Sequence, residues 1–201
     1  MKCLKTSSQI LGKFELFRKG NDVQRLHNVR FHGSYSVGEH TCNATLIAME
    51  MCDLLHRYVG GTDNCAQSYV VLRYMLLHDM AEQYTGDIPA PTKWVSEKLA
   101  KTLQQLGNQW HEDNDMILPS MPYVYQQICK FSDGLEFALW CDDQYTNLGN
   151  KNVCEPFRKI TCSMQECFGN DAPFPAHLQT IVHNILSELH IRLENMTNES
   201  K

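Results

Sequence analysis

The chain has 201 residues, 43% hydrophobic and 20% charged, a balance that fits one folded domain and excludes long disorder. Lysine and arginine number 18 against 23 aspartates and glutamates, a formal charge of −5, so the surface offers no general attraction to a nucleic acid polymer. No apolar run approaches the ~18 residues of a membrane span and the N-terminus lacks a continuous apolar signal core, so the expected location is the cytoplasm.

In chain order, residues 7–19 read as a short helix packing on a bundle. Residues 39–59 place Ala44, Ile47, Ala48, Met51, Leu55 and Tyr58 on one stripe at helical spacing. Gly60 and Gly61 end that helix, because glycine accepts the left-handed turn at a C-terminus. A second helix is expected over 65–84, with Val71, Met75, His78 and Glu82 on one face and Thr85-Gly86-Asp87 as its stop. Ile88-Pro89-Ala90-Pro91 is then stiff and extended, since each proline fixes its own backbone and disfavours helix before it. Thr92 is the expected N-cap of a helix from 93 to about 112.

Pro119 and Pro122 bracket a break before a helix over roughly 122–148. That helix is apolar on more than one side and therefore central; Gly149-Asn150 ends it. Helices over 153–168 and 175–196 follow, separated by Gly169-Asn170-Asp171 and the Pro173/Pro175 pair. No strand is expected, and the fold class is all-α, with residues 1–201 forming a single domain. Nine cysteines, an odd number with no CxxC pair, read as reduced thiols buried as small apolar groups rather than a disulfide framework.

The chemistry concentrates where charge interrupts apolar helix. His78-Asp79 lies inside Tyr74-Met75-Leu76-Leu77-His78-Asp79-Met80-Ala81-Glu82. Burying an ionised aspartate beside a histidine is costly without a cationic partner, and imidazole and carboxylate are both good ligands for a first-row dication. His40 opens the preceding helix on its apolar stripe. Asp133 sits among Phe131, Leu135, Phe137 and Trp140 in the central helix. Glu82 follows His78 by four positions and is expected on the same helical face; Asp87 follows the helix stop. His32, His56, His111, His177, His183 and His190 read as ordinary surface or core residues, His27 stands apart as a neighbour of Arg25 within reach of substrate, Trp94 and Trp110 read as packing residues, and Cys162/Cys167 as a weak zinc pair lacking partners.

The order His40, His78-Asp79, Asp133 resembles the H…HD…D signature of the HD-domain phosphohydrolases. The match extends to Arg25-Leu26-His27-Asn28-Val29-Arg30, to Val37-Gly38-Glu39-His40, and to the whole stretch His78 to Trp94. These segments resemble the bacterial HD-domain 5′-deoxynucleotidases, and look closer still to small phage HD enzymes that hydrolyse dATP. The resemblance covers roughly residues 20–150. It implies a helical bundle with a central metal site held by His40, His78, Asp79 and Asp133. It also implies catalytic roles for Glu82 and Asp87, contact of Arg25 with the nucleotide, and a homo-oligomer. Where these relatives usually carry a tryptophan near the sugar or base, this chain has Leu26.

The expected reaction is attack of water on the 5′ α-phosphorus of a deoxynucleotide, with the metal polarising the phosphoryl group. Glu82 is assigned to the proton shuttle and Asp87 to positioning the water. Arg25 clamps phosphate oxygens through its planar fork, and Lys93 neutralises further phosphates. Two imidazoles and two carboxylates suit zinc, cobalt, manganese or iron, with magnesium on the substrate phosphates. The leading expectation is dATP giving deoxyadenosine and triphosphate. The alternatives are orthophosphate release from deoxynucleoside monophosphates, a non-catalytic nucleotide-binding module on the same bundle, and a helical interaction protein with no metal.

Overall fold

The computed structural model describes residues 7–26, 28–59, 64–88, 93, 96–169 and 174–199. Helix α1 runs Ser7–Asn21, α2 Val37–Val59, α3 Asn64–Leu77, α4 Glu82–Thr85, α5 Glu97–Asp113 and α6 Tyr123–Thr146. A 3-10 turn at Lys151–Val153 leads into α7, Cys154–Phe168, and α8 is Ala176–Glu199. Among the described residues there is no strand, only one antiparallel bridge between Gln24 and Ser36. The all-helical expectation holds.

Helix α6 is the axle of the bundle: α2, α3, α7 and α8 all pack on it. Its sequence explains this, because buried side chains emerge on more than one face: Ile128, Phe131, Leu135 and Ala138 on one, Cys129 and Ser132 on another. The expected α2 stripe is also found. Ala44, Ala48, Met51 and Leu55 are buried in the same core as Val71 and Met75 of α3 and Leu178, Val182 and Leu186 of α8. Each large aliphatic or aromatic side chain so buried contributes about 1.5–3 kcal/mol. Gly134 sits mid-helix where α6 meets α7; a Cβ there would lie 3.2 Å from the Met164 side chain.

Two expected boundaries differ. The helix beginning near 65 does not reach 84: its last 4-residue hydrogen bond runs from His78 N–H to the Tyr74 carbonyl at 2.9 Å. Bonds one residue shorter replace it, Met80 N–H to Leu77 O at 3.0 Å and Glu82 N–H to Asp79 O at 2.9 Å. Helix α5 begins at Glu97, with Ser96 as N-cap accepting from Leu99 N–H; Lys93, the expected start, is itself helical, but the extended Ser96 separates it from α5. The Gly60-Gly61 stop, the Thr92 cap, the Pro89/Pro91 segment, Trp94, His27 and the 170–173 linker lie outside the described residues. The stop at Gly149 is as expected: φ is 64°, and Asn150 N–H returns to the Gln144 carbonyl. No described helix is long and apolar enough to cross a membrane.

Candidate metal centre and its cleft

On a regular helix, successive residues point about 100° apart. His78 and Asp79 escape that limit because the helix tightens at this point, and both side chains reach one centre. α2 delivers His40 to it and α6 delivers Asp133. Donor atoms of His40, His78, Asp79 and Asp133 all lie within 4.8 Å of one another. His40 Nε2 is 2.7 Å from Asp133 Oδ1 and 3.8 Å from Asp79 Oδ2; His78 Nε2 is 3.5 Å from Asp133 Oδ1 and 3.4 Å from Asp79 Oδ1. All four expected ligands converge.

The far nitrogen of each ring is already held. His78 Nδ1 meets the Met75 carbonyl at 2.8 Å, and Tyr74 stacks on the ring with centroids 5.6 Å apart. His40 Nδ1 meets Glu136 Oε2, which also accepts the Tyr35 hydroxyl. Both rings therefore present Nε2 to the centre, the arrangement in which an outer partner fixes the tautomer and orientation of a metal-binding histidine. Two nitrogens and two carboxylates in one cluster are a donor set that fits a divalent cation.

Without a cation, the same groups neutralise one another. Burial pulls the His40 pKa down, but hydrogen bonds to Asp133 and Glu136 outweigh it and lift the ring to about 9. Burial likewise opposes protonation of His78, and the charge of Asp79 with the hydrogen bond to Asp133 lifts it to about 9. Burial would raise the Asp79 carboxyl, but His78 and Arg25 hold it below its ordinary value. Burial acts on Asp133 in the same way, and hydrogen bonds from His40 and His78 hold it well below the usual carboxylate range.

Arg25 donates from Nη1 to Asp79 Oδ2 at 2.8 Å, and its guanidinium lies 5.6 Å from the centre of the Tyr35 ring. The backbone bonds Arg25 N–H to Tyr35 O and Val37 N–H to Val23 O, both 2.8 Å, clasp this loop. The buried Nε of Arg25 and Oε2 of Glu82 have no hydrogen-bond partner in the protein. Such orphaned groups are uncommon in a folded interior and fit a site that awaits a polar ligand. Burial raises Glu82, and the Asp79 charge adds to it, so this carboxyl titrates near 8.

A cavity of about 320 Å³ opens beside the cluster, with His78, Asp79, Glu82, Lys93, Gln104 and His111 in its wall. Glu82 and Lys93, both singled out in the sequence, line this cavity. Glu82 gets there from a tight turn and not, as the spacing suggested, from the helical face of His78. Asp87 is not in the wall: it is buried, and its Oδ2 accepts the Leu26 N–H at 2.8 Å. Leu26 is largely buried, with φ at 54°. Cys162 and Cys167 are exposed and take no part.

Three residues escaped the sequence reading. Tyr35 and Glu136 back His40, and His111, read as ordinary, is buried with Nε2 3.4 Å from the His78 carbonyl. Glu136 carried a usable signal: a second acid three residues after Asp133, in the same apolar run. Tyr35 and His111 carried none.

A family model described as 5′-deoxynucleotidase YfbR-like matches residues 14–152. The chain belongs to this family of HD phosphohydrolases. A 5′-deoxynucleotidase of Vibrio parahaemolyticus is 27% identical over 158 residues, 72% of this chain and 79% of the relative. One from Vibrio vulnificus is 29% identical over 84 residues, and that match spans only 42% of either chain. Among solved structures, an HD-domain phosphohydrolase of Listeria innocua superposes with a TM-score of 0.71 at 17% identity, covering 94% of this chain and 97% of that one. The cyanophage S-2L HD phosphohydrolase DatZ, described as bound to dA and one catalytic Zn2+ ion, gives 0.65 at 14% identity, covering 96% and 98%. At these identities the structural likeness concerns the fold.

Proposed function

We propose that the chain hydrolyses the 5′ phosphate ester of 2′-deoxynucleotides. The observation that carries this reading is the convergence of His40, His78, Asp79 and Asp133 beside Arg25 and the cavity wall that holds Glu82. A divalent cation in that cluster supplies polarisation of the phosphoryl group and a more acidic water. Zinc, cobalt, manganese and iron all suit the donor set.

Arg25 binds phosphate oxygens; its unpartnered Nε is the donor that a phosphate would satisfy. Water attacks the α-phosphorus, the bond from phosphorus to the 5′ oxygen breaks, and Glu82 delivers its proton to that oxygen; the proton given up by the water restores the carboxyl. Burial and the Asp79 charge raise this carboxyl in the metal-free fold, a direction that favours the protonated form this task needs. Asp87 acts through Leu26, fixing the backbone beside Arg25, and its second oxygen is assigned to orienting water. Leu26 lies against the sugar or base.

The sequence relatives favour a monophosphate substrate with release of orthophosphate. Release of triphosphate from dATP has its own support in Lys93, a cation in the cavity wall. Incubation with dAMP, dATP and ATP, each with zinc, cobalt, manganese or magnesium, followed by product analysis, separates the two. Orthophosphate from dAMP supports the first, triphosphate from dATP the second, and hydrolysis of none of the three under any metal overturns the proposal.

A further inference from the structure

Tyr35 and Glu136 lie outside the ligand set, yet both are built into it. Tyr35 is fully buried, and Glu136 nearly so. One carboxylate oxygen of Glu136 accepts both the Tyr35 hydroxyl and His40 Nδ1, and the Tyr35 oxygen itself lies 3.1 Å from that nitrogen. With Nδ1 engaged by Glu136, Nε2 is the ring nitrogen that faces the cluster and is left to bind a cation there. The Tyr35 ring has a second duty. It is stacked on Trp140, with centroids 4.4 Å apart, and Arg25 lies over it. Arg25 in turn bonds Asp79, another member of the cluster.

We infer that Tyr35 and Glu136 are positioning residues that lock His40 into its Nε2-binding form, and that Tyr35 joins this lock to the seat of Arg25. The inference rests on the reading that the four-residue cluster holds a divalent cation. Glu136 holds His40 and accepts the Tyr35 hydroxyl, whereas Arg25 bonds Asp79 instead. Tyr35 acts on both: its hydroxyl completes the carboxylate's hydrogen bonding, and its ring supports the guanidinium through the cation–π contact. The couple's two halves are therefore separable by substitution. Losing the Glu136 charge weakens the hold on a cation, because the partner on the far nitrogen raises ring basicity as well as aiming it. Losing the Tyr35 hydroxyl alone leaves the platform of Arg25 in place. Losing the ring removes both.

The test measures Zn2+ affinity by competition with a chromophoric chelator, alongside the visible spectrum of the Co2+-loaded protein and the KM and kcat for a deoxynucleotide. Glu136→Gln is expected to lower Zn2+ affinity roughly 10–100-fold with little change in KM. Tyr35→Phe should leave KM near wild type, whereas Tyr35→Leu should raise it several-fold and shift the Co2+ spectrum as well. A folded Glu136→Gln protein that binds Zn2+ within twofold of wild type overturns the inference, as does a Tyr35→Leu protein with unaltered KM. If Glu136→Gln does not fold, nitrogen NMR of the Zn2+-loaded wild type decides. A proton on His40 Nδ1 with Nε2 bound supports the lock; binding through Nδ1 overturns it. A wild-type protein that takes up no Zn2+ or Co2+ refutes the cluster reading itself, an outcome distinct from tight binding by Glu136→Gln.

Discussion

Asp87 and Leu26 are joined by a single hydrogen bond across 61 residues of chain, from the Leu26 N–H to Asp87 Oδ2 at 2.8 Å. Leu26 needs it, because a φ of 54° is disfavoured for a leucine, typically by about 1–3 kcal/mol. Strain of this kind beside an arginine that faces the cluster is held in place by its surroundings and not by local preference.

Asp87→Ala should therefore cost stability as well as turnover. A buried N–H left without an acceptor costs about 1–3 kcal/mol, and each kcal/mol lowers Tm by roughly 2–4 °C in a chain of this size. Metal content should stay near wild type, since Asp87 is not in the donor set. Asp87→Asn keeps a carbonyl acceptor for Leu26 and should recover the Tm. Calorimetry and elemental analysis of both variants check this; loss of metal in Asp87→Ala would contradict it.

Asp133→Ala should have the opposite signature. It removes the carboxylate that both histidines contact. Affinity for Zn2+ should fall by more than the roughly 10–100-fold of an outer-shell change, measured by chelator competition. A variant that retains its metal would place the ion elsewhere.

Metal-free protein should lose stability as pH rises from about 6.5 to 9. In the fold, His40 and His78 titrate near 9, above the ordinary 6.5. Their protonated forms thus stabilise the fold fully below 6.5, and that contribution fades as pH climbs through 9. A cation replaces those protons, so its apparent affinity should rise over the same window. Tm measured against pH with and without chelator tests both: the chelated protein should fall through this range while the Zn2+-loaded protein stays nearly level.

Glu82→Gln should lower kcat by about 10²–10⁴-fold with little effect on KM, because a proton donor to the leaving oxygen acts only in the transition state. In the wild type, activity should decline as pH rises through the Glu82 titration, near 8 in the metal-free fold. A cation beside Asp79 offsets the charge that helps raise Glu82, and so moves this limb to lower pH. The limb should vanish in Glu82→Gln; its persistence would assign it to another group.

The four members of the cluster were legible in the sequence because polar groups on apolar helical faces demand an explanation, and a shared cation would supply one. His78, Asp79 and Asp133 interrupt apolar runs, and His40 opens α2 on its apolar stripe. The bundle was legible for the same reason, since the buried stripes of α2 and the many-sided α6 are periodic. The break after His78 was not, because apolar spacing continues through 82 while the hydrogen bonds change from one ladder to another. Position 93 was read as a helix start because Thr92 offers an N-cap after the prolines, whereas the cap of α5 is the Ser96 hydroxyl. Tyr35 was hidden because it enters through a loop whose position depends on partners far along the chain.

That loop is fastened at both ends. Beyond the clasp at Arg25 and Val37, the buried Gln144 side chain accepts from His32 N–H and donates to His32 O, each at 3.0 Å, and Asn150 holds the Arg30 carbonyl at 3.0 Å. Side chains at the end of α6 and just beyond it thus pin the segment that carries Arg25 to the bundle. Little conformational freedom remains there to be lost when a ligand meets that arginine.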